Sequence, residues 1–289
     1  MSSGPAPLNS PNVPLRPAAT ILLLRDRPGP VGGVEVFMER RHLQSGFVGG
    51  AYVFPGGRVD SGDAIDPARC AGLDEAAANR QLSMDSGGLA HFVAVVRECF
   101  EEAGVLLAYD GSGVLLDFSD HLVDHHYQVL RKQLNDGSLS LPHLIKRERL
   151  TLATDQIAYW SHWITPIGEP KRYDTRFFIA LAPPGQRAHH DDWELTHSAW
   201  VTPGQAIEKA IQREWMIIFP TLMNLKMLAT HRTAREAIAW ARAQPTPLPA
   251  NLPKVFDGGI VLPGDRGYEA GTSDISTVDR EAFEKRFLP

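Results

Sequence analysis

Three acidic side chains are spaced so that they share one face of a predicted helix. Glu98, Glu101 and Glu102 are three and four positions apart, which brings their carboxylates side by side. Like charges at that spacing repel, and a cation relieves the repulsion. Mg²⁺ takes oxygen ligands and is commonly held by one or two carboxylates together with substrate phosphates. The cluster is therefore a candidate site for Mg²⁺ and a phosphate-bearing ligand. A solvated acidic helix face is the alternative.

The helix that carries these carboxylates is predicted over residues 89–103. At about 100° per residue, its apolar side chains fall on the arc opposite the glutamates. Gly104 is typical of the residue that ends a helix. The apolar arc comprises Phe92, Val93, Val96, Cys99, Phe100 and Ala103.

Short runs rich in β-branched and aromatic residues predict the strands that position this helix. Residues 18–24 and 34–39 are predicted to form a hairpin, and residues 51–54 a third strand that stops at a turn, Pro55-Gly56-Gly57. Further strands are predicted at 157–164, 174–181 and 193–201. Helices are predicted at about 74–82, within 120–150, at 203–212 and at 220–241.

The glycine turn and the acidic helix together resemble the Nudix box, G-x5-E-x7-R-E-U-x-E-E-x-G-U, in which U is apolar. The matching residues are Gly57, Arg97, Glu98, Glu101, Glu102 and Gly104, with Cys99 and Val105 at the apolar positions. Asp63 stands where the family has its first glutamate. The 33 residues 64–96 replace the usual seven, and this longer loop has only a modest closure cost.

The resemblance extends over about residues 18–228, through VFPGGRVD, RECFEEAGVLL and the segments that follow. Within the Nudix superfamily the chain is similar to the insertion-bearing enzymes related to peroxisomal coenzyme A diphosphatases. The resemblance implies an α/β fold, a Nudix-type α/β/α sandwich with a mixed β-sheet, a long insertion within the box and additional helices.

The chain divides into three predicted parts. Residues 1–17 form a flexible, proline-rich N-terminal tail. Residues 18–243 form the hydrolase domain, with one insertion at about 64–88 and a helical insertion at about 120–150. Residues 244–289 form a C-terminal strap or tail.

The resemblance also implies the roles of individual residues. Glu98 and Glu102 would bind the metal, Glu101 would share a metal or orient water, and the Gly57 carbonyl would complete the ligand set. Arg97 would hold the glutamates in place. Glu194, with Asp192 beside it, is the candidate general base. The candidate contacts to substrate are Arg40, Arg41 and Arg58.

The implied reaction is hydrolysis of a diphosphate linkage with Mg²⁺, or with Mn²⁺ in its place. The first substrate hypothesis is coenzyme A or acyl-CoA, which gives adenosine 3′,5′-bisphosphate and (acyl-)phosphopantetheine. The segment FMERRHLQSGFVGGAYVFPGG keeps only the basic residue and the FPGG end of the motif that coenzyme A enzymes carry there. ADP-ribose, NADH or a nucleotide sugar therefore stays open. So do a nucleotide sensor that does not cleave its ligand and an inactive scaffold.

Composition limits the partners. Lys plus Arg is 29 and Asp plus Glu is 34, a net charge of −5, and no basic block is present, which argues against nucleic acid. No apolar stretch approaches the length that spans a bilayer, so no membrane partner is predicted. Two cysteines, Cys70 and Cys99, favour a reducing compartment, and we predict the cytoplasm. The expected partner is a small-molecule nucleotide, and the resemblance allows a homodimer.

Overall fold

The strands form one eight-stranded sheet and two small two-stranded sheets in the computed structural model, which describes residues 13–29, 32–42, 49–189 and 195–275. The strands are β1 (Leu15–Asp26), β2 (Val34–Arg41), β3 (Tyr52–Val53), β4 (Gly56–Arg58), β5 (Ala108–Tyr109), β6 (Thr151–Leu152), β7 (Ala158–Ile164), β8 (Arg172–Leu181), β9 (Leu195–Val201), β10 (Ala250–Asn251), β11 (Lys254–Phe256) and β12 (Gly259–Val261). The helices are α1 (Glu75–Leu82), α2 (Gly88–Ala103), α3 (His121–Asn135), α4 (Leu141–Arg147), α5 (Pro203–Ile211), α6 (Phe219–Leu228) and α7 (Ala234–Ala243).

The long strand β1 organises the sheet. It runs parallel to β8 over ten residue pairs and forms the predicted antiparallel hairpin with β2. Ile21 and Leu23 point into one core, and Leu22 and Leu24 point into the other, because successive side chains of a strand face opposite sides. Burial on both faces explains why this strand reads as a continuous apolar run.

Helices cover both faces of the sheet. The core on one face includes residues of α1 to α4, and the core on the other includes residues of α5, α6 and α7. The parallel β1–β8 and β7–β10 pairs, together with the antiparallel pairs of the other strands, make the sheet mixed. The predicted α/β/α sandwich is confirmed.

The centre of the sheet opens between β1 and β2, which pair only through their adjoining ends. Beyond that point β3 pairs with β2, and β4 pairs with β1. The prediction of a turn at Pro55-Gly56-Gly57 is therefore wrong, since both glycines belong to β4. A Cβ at Gly56 would lie 2.6 Å from the Cα of Thr20, so a residue without a side chain lets β4 approach β1 this closely.

Two other predicted elements have different bounds. The predicted helix over 220–241 is two helices, α6 and α7, and α7 begins after Thr233, whose side chain accepts a hydrogen bond from the amide of Glu236. Strand β1 starts at Leu15, within the predicted tail, whose residues 1–12 lie outside the described residues.

The described part of the chain contains no helix that combines the length and the apolar character needed to cross a membrane.

Candidate active site

The acidic face of α2 packs against the rest of the fold. The side chains of Glu98 and Glu101 are 12% and 21% exposed, and Glu102 is buried. The apolar arc on the opposite side is buried in the core, as predicted. Gly104 ends the helix in the left-handed conformation, with φ of 72°. The alternative of a solvated acidic face is therefore wrong.

Strand β4 brings its backbone directly against two of these glutamates. The amide of Gly56 donates a 2.6 Å hydrogen bond to Oε2 of Glu102. A Cβ placed on Gly57 would overlap the carboxylate of Glu98. Because neither glycine has a side chain, the backbone of β4 lies directly beside the carboxylates. Glycine serves this purpose where a backbone approaches a ligand closely.

Arg97 connects the two halves of the sequence motif. Its Nε and Nη2 donate to the two carboxylate oxygens of Asp63 at 2.8 and 3.1 Å, and Nη2 also donates to the carbonyl of Arg58. Its Nη1 donates to Glu98 at 2.8 Å and to Glu101 at 2.9 Å. Asp63 is fully buried, so this is a bidentate pair of the strong kind. The long insertion leaves the contact intact, although the family glutamate is replaced by aspartate.

The insertion itself supports the start of α2. The carboxylate of Glu75, on α1, accepts hydrogen bonds from the amides of Gly87 and Leu89, and the side-chain oxygen of Asn79 accepts one from Gly88. These amides have no partner within the helix, and an acidic group there also complements the helix dipole. Part of the inserted segment therefore caps the helix that carries the site.

Burial shapes the charge state of the site. It raises the pKa of Glu98 to about 7, against the lowering effect of Arg97. Burial also raises the pKa of Glu101, and it raises that of Glu102 well above its usual range, together with the charges of Glu39 and Glu98. For Arg97, burial alone would lower the pKa, but Asp63 and the glutamates raise it, which keeps it protonated. Glu98 and Glu102 therefore bind protons more readily than exposed carboxyl groups do, and a cation at this face would favour their deprotonated forms.

Sequence reasoning missed one carboxylate near this cluster. Glu39, on β2, is fully buried and close enough to Glu102 to raise its pKa. Glu39 lies two residues after the buried Phe37 and so shares its face of the strand. An acidic residue at an inward position of an apolar strand is the signal that could have identified it.

The predicted basic residues lie in different places. Arg41 is near enough to Glu102 to lower the pKa of that carboxyl. Arg40 pairs with Tyr52 across the strands. Burial raises the pKa of the Tyr52 hydroxyl, and the charge of Arg40 offsets part of that rise. The side chain of Arg58 is exposed and lies 4.0 Å from Asp60. Glu194 and Asp192, the candidate bases, lie outside the described residues.

The donor set suits a hard divalent cation. Carboxylate oxygens and a nearby backbone edge are the ligands that Mg²⁺ prefers, and a cation would offset the burial and the carboxylate repulsion that together raise these pKa values. Among the described residues, no three His, Cys, Asp or Glu side chains already converge on one point, and Arg97 is hydrogen-bonded to both Glu98 and Glu101. Metal binding at this face would therefore have to compete with Arg97.

Known proteins resemble the chain in sequence and in fold. The acyl-coenzyme A diphosphatase NUDT19 of Gallus gallus is 29% identical over 311 aligned positions, which cover 88% of this chain and 79% of that protein. The human protein of the same name is 26% identical and covers 84% of this chain and 74% of its own length. The crystal structure of a Nudix hydrolase from Alicyclobacillus acidocaldarius superposes with a TM-score of 0.66, at 24% identity, over 81% of this chain and 100% of that one.

These likenesses agree with the geometry of the site. The structural neighbour shows the Nudix fold. The relatives confirm the prediction of a Nudix diphosphatase that resembles coenzyme A diphosphatases. The family model described as the NUDT19 Nudix domain matches residues 66–228, which is more than half of the sequence, and the chain therefore belongs to the NUDT19 Nudix domain family.

Proposed function

We propose that the chain hydrolyses the diphosphate linkage of coenzyme A or acyl-CoA and releases adenosine 3′,5′-bisphosphate and (acyl-)phosphopantetheine. The observation that carries this proposal is the carboxylate face of α2, which is held by Arg97 and Asp63 against the backbone of β4. The choice of coenzyme A is supported by the similarity to the avian and human acyl-coenzyme A diphosphatases.

The same residues would hold the metal. We assign Glu98, Glu101, Glu102 and the carbonyl of Gly57 as its ligands, with Mg²⁺ as the ion and Mn²⁺ as its substitute. When bound, such an ion neutralises charge on the phosphates and lowers the pKa of a coordinated water. The protein's own contribution is to keep three carboxylates on one helix face and to exclude bulk water from them.

Other side chains would orient the substrate. Arg97 keeps Glu98 and Glu101 in position through the hydrogen bonds of its Nη1 atom. Arg41 is our first choice for a contact to a substrate phosphate, because its charge acts on the Glu102 carboxyl of the acidic face. Arg40 and Arg58 stay as predicted contacts to more distant parts of the substrate. Glu194 is our proposal for the general base.

The substrate is tested by product analysis in heavy-oxygen water. The protein is incubated with Mg²⁺ and, in parallel, coenzyme A, ADP-ribose, NADH and a UDP-sugar, and the products are identified by mass spectrometry. We expect adenosine 3′,5′-bisphosphate and phosphopantetheine, with the label in one of the two phosphates. Cleavage of another compound alone would contradict the substrate, and tight binding without cleavage would favour the sensor.

A further inference from the structure

The C-terminal end of α2 is held from outside the helix. The amides of Gly104 and Val105 turn back to satisfy carbonyls of the preceding turn. The carbonyls of Glu101, Glu102 and Ala103 remain, because the last carbonyls of a helix have no partner within it. Two of these three carbonyls belong to the proposed metal ligands, so whatever holds them also fixes the backbone beneath the metal-binding side chains.

Arg131, on α3, satisfies two of these carbonyls. Its Nε donates to the carbonyl of Glu101 at 3.0 Å, and its Nη2 donates to that of Glu102. Asn135, one turn further along α3, also donates to Glu101 at 3.2 Å. Arg131 is only 4% exposed, which is unusual for an arginine. A buried guanidinium that spans two carbonyls fixes their separation in a way that a flexible cation does not.

The third carbonyl, that of Ala103, is bound by His189. The amide of His189 donates to the carbonyl of Ala103 at 2.9 Å. Arg131 also holds this residue, since Nη2 donates to the His189 carbonyl at 3.1 Å and Nη1 lies 3.2 Å from its Nδ1. One guanidinium therefore joins the end of the metal-binding helix to His189.

The charge and the shape of the site both favour this arrangement. The last turn of α2 has no basic residue of its own, and a cation at a helix C-terminus is stabilised by the helix dipole. Gly104 leaves room for it, since a Cβ there would lie 2.9 Å from Nη1 of Arg131. The glycine that ends the helix thus also admits the arginine.

We propose that Arg131 is a positioning residue for the active site, and that α3 serves to deliver it. It sets the backbone of Glu101 and Glu102 and holds His189 against the same helix end. This inference rests on the proposed function, because it assumes that those glutamates bind the metal.

The test compares three variants of the full chain. Arg131→Gln removes the charge and the planar fork, Arg131→Lys keeps the charge alone, and Lys132→Gln is the matched control, because Lys132 is an exposed cation on the same helix. The readouts are Mn²⁺ affinity by electron paramagnetic resonance without substrate, hydrogen exchange of the amides of residues 104, 105 and 189 without metal, and kcat and KM for coenzyme A.

In Arg131→Gln we expect Mn²⁺ affinity and kcat to fall by about 10- to 100-fold, the usual effect of losing a residue that orients metal ligands, with a smaller change in KM. The three amides should exchange about tenfold faster, since the helix end opens more often once Arg131 no longer holds the carbonyls of Glu101, Glu102 and His189. Arg131→Lys should recover part of the affinity, and Lys132→Gln should match the parent.

A folded Arg131→Gln that has a lower Tm but parental Mn²⁺ affinity and parental exchange would overturn the proposal, because a merely structural role predicts that result. If Arg131→Gln does not fold, Arg131→Lys decides. It should weaken Mn²⁺ binding by at least about threefold, since lysine lacks the fork, and parental affinity would overturn the proposal. Failure of the proposed function is distinct: the parent itself would then cleave no coenzyme A, while the affinity and exchange comparisons would still respond to the variants.

Discussion

At the scale of single residues, the pair of Asp63 and Arg97 determines whether the acidic face stays assembled. Asp63 is fully buried, and Arg97 also bonds to Glu98 and Glu101. Removing one partner of a buried ion pair is costly, because the other charge stays buried without compensation.

We therefore expect Asp63→Asn to lower the free energy of unfolding by about 3–5 kcal/mol in urea denaturation. The control is Asp66→Asn, since Asp66 is exposed and caps a short 3-10 turn in the same segment. Its cost should stay near or below about 1 kcal/mol. Equal effects of the two substitutions would show that the buried pair adds nothing.

The raised pKa of Glu98 predicts a pH dependence. Burial raises this pKa to about 7 in the folded protein, above the ordinary value of 4.5 expected after unfolding. The resulting stability is complete below the unfolded pKa and is lost as the pH rises through about 7. Metal binding needs the deprotonated carboxylate, so the stabilisation of the protein by metal increases as the pH rises.

As the pH rises from 5.5 to 8, the Tm of the metal-free protein should fall because Glu98 loses its proton. Over the same range, the rise in Tm caused by Mn²⁺ should become larger. Calorimetry with EDTA or Mn²⁺ measures both quantities. In Glu98→Gln both pH effects should shrink relative to the parent. An Mn²⁺-induced rise in Tm that is the same at both pH values in the parent would contradict the assignment of the buried carboxylates.

At the scale of elements, α2 depends on its contact with β4. Gly57 has no side chain at the point where Glu98 approaches, whereas Gly62, in the 3-10 turn that follows, has open space around it. The two glycines therefore test the same substitution with and without a steric conflict.

Gly57→Ala should displace the Glu98 carboxylate and weaken Mn²⁺ binding by about 10-fold or more, the range seen when metal ligands are misplaced. Gly62→Ala should bind Mn²⁺ as the parent does, because nothing lies within 4 Å of the added Cβ. Isothermal titration with Mn²⁺ compares them. Parental affinity in Gly57→Ala would show that the close approach of β4 has no role in the site.

At the scale of the whole molecule, long periodic elements could be predicted from the sequence, and most short ones could not. The strands β1, β2, β7 and β8 and the helix α2 follow clear apolar patterns. The strands β5, β6 and β10 have two residues each, too few to show a period. β10 nevertheless extends the sheet by pairing with β7.

The residues of the site also fall into those that could be predicted from the sequence and those that could not. Arg97 and the three glutamates follow from helical spacing and family resemblance. Glu39 and Arg131 reach the site from other elements, 63 and 29 residues away from Glu102, and their contacts arise only when β2 and α3 pack against α2. Local spacing cannot predict contacts that depend on tertiary packing.

The most direct test of the account is the Mg²⁺-dependent turnover of coenzyme A by Glu102→Gln beside the parent. The substitution preserves the size of the side chain and removes one charge from the buried face. Glu208→Gln, on the exposed side of α5, is the control and should change kcat by less than about twofold. The account predicts that Glu102→Gln lowers kcat by at least about 100-fold. Turnover within threefold of the parent would contradict the claim that this face of α2 is catalytic.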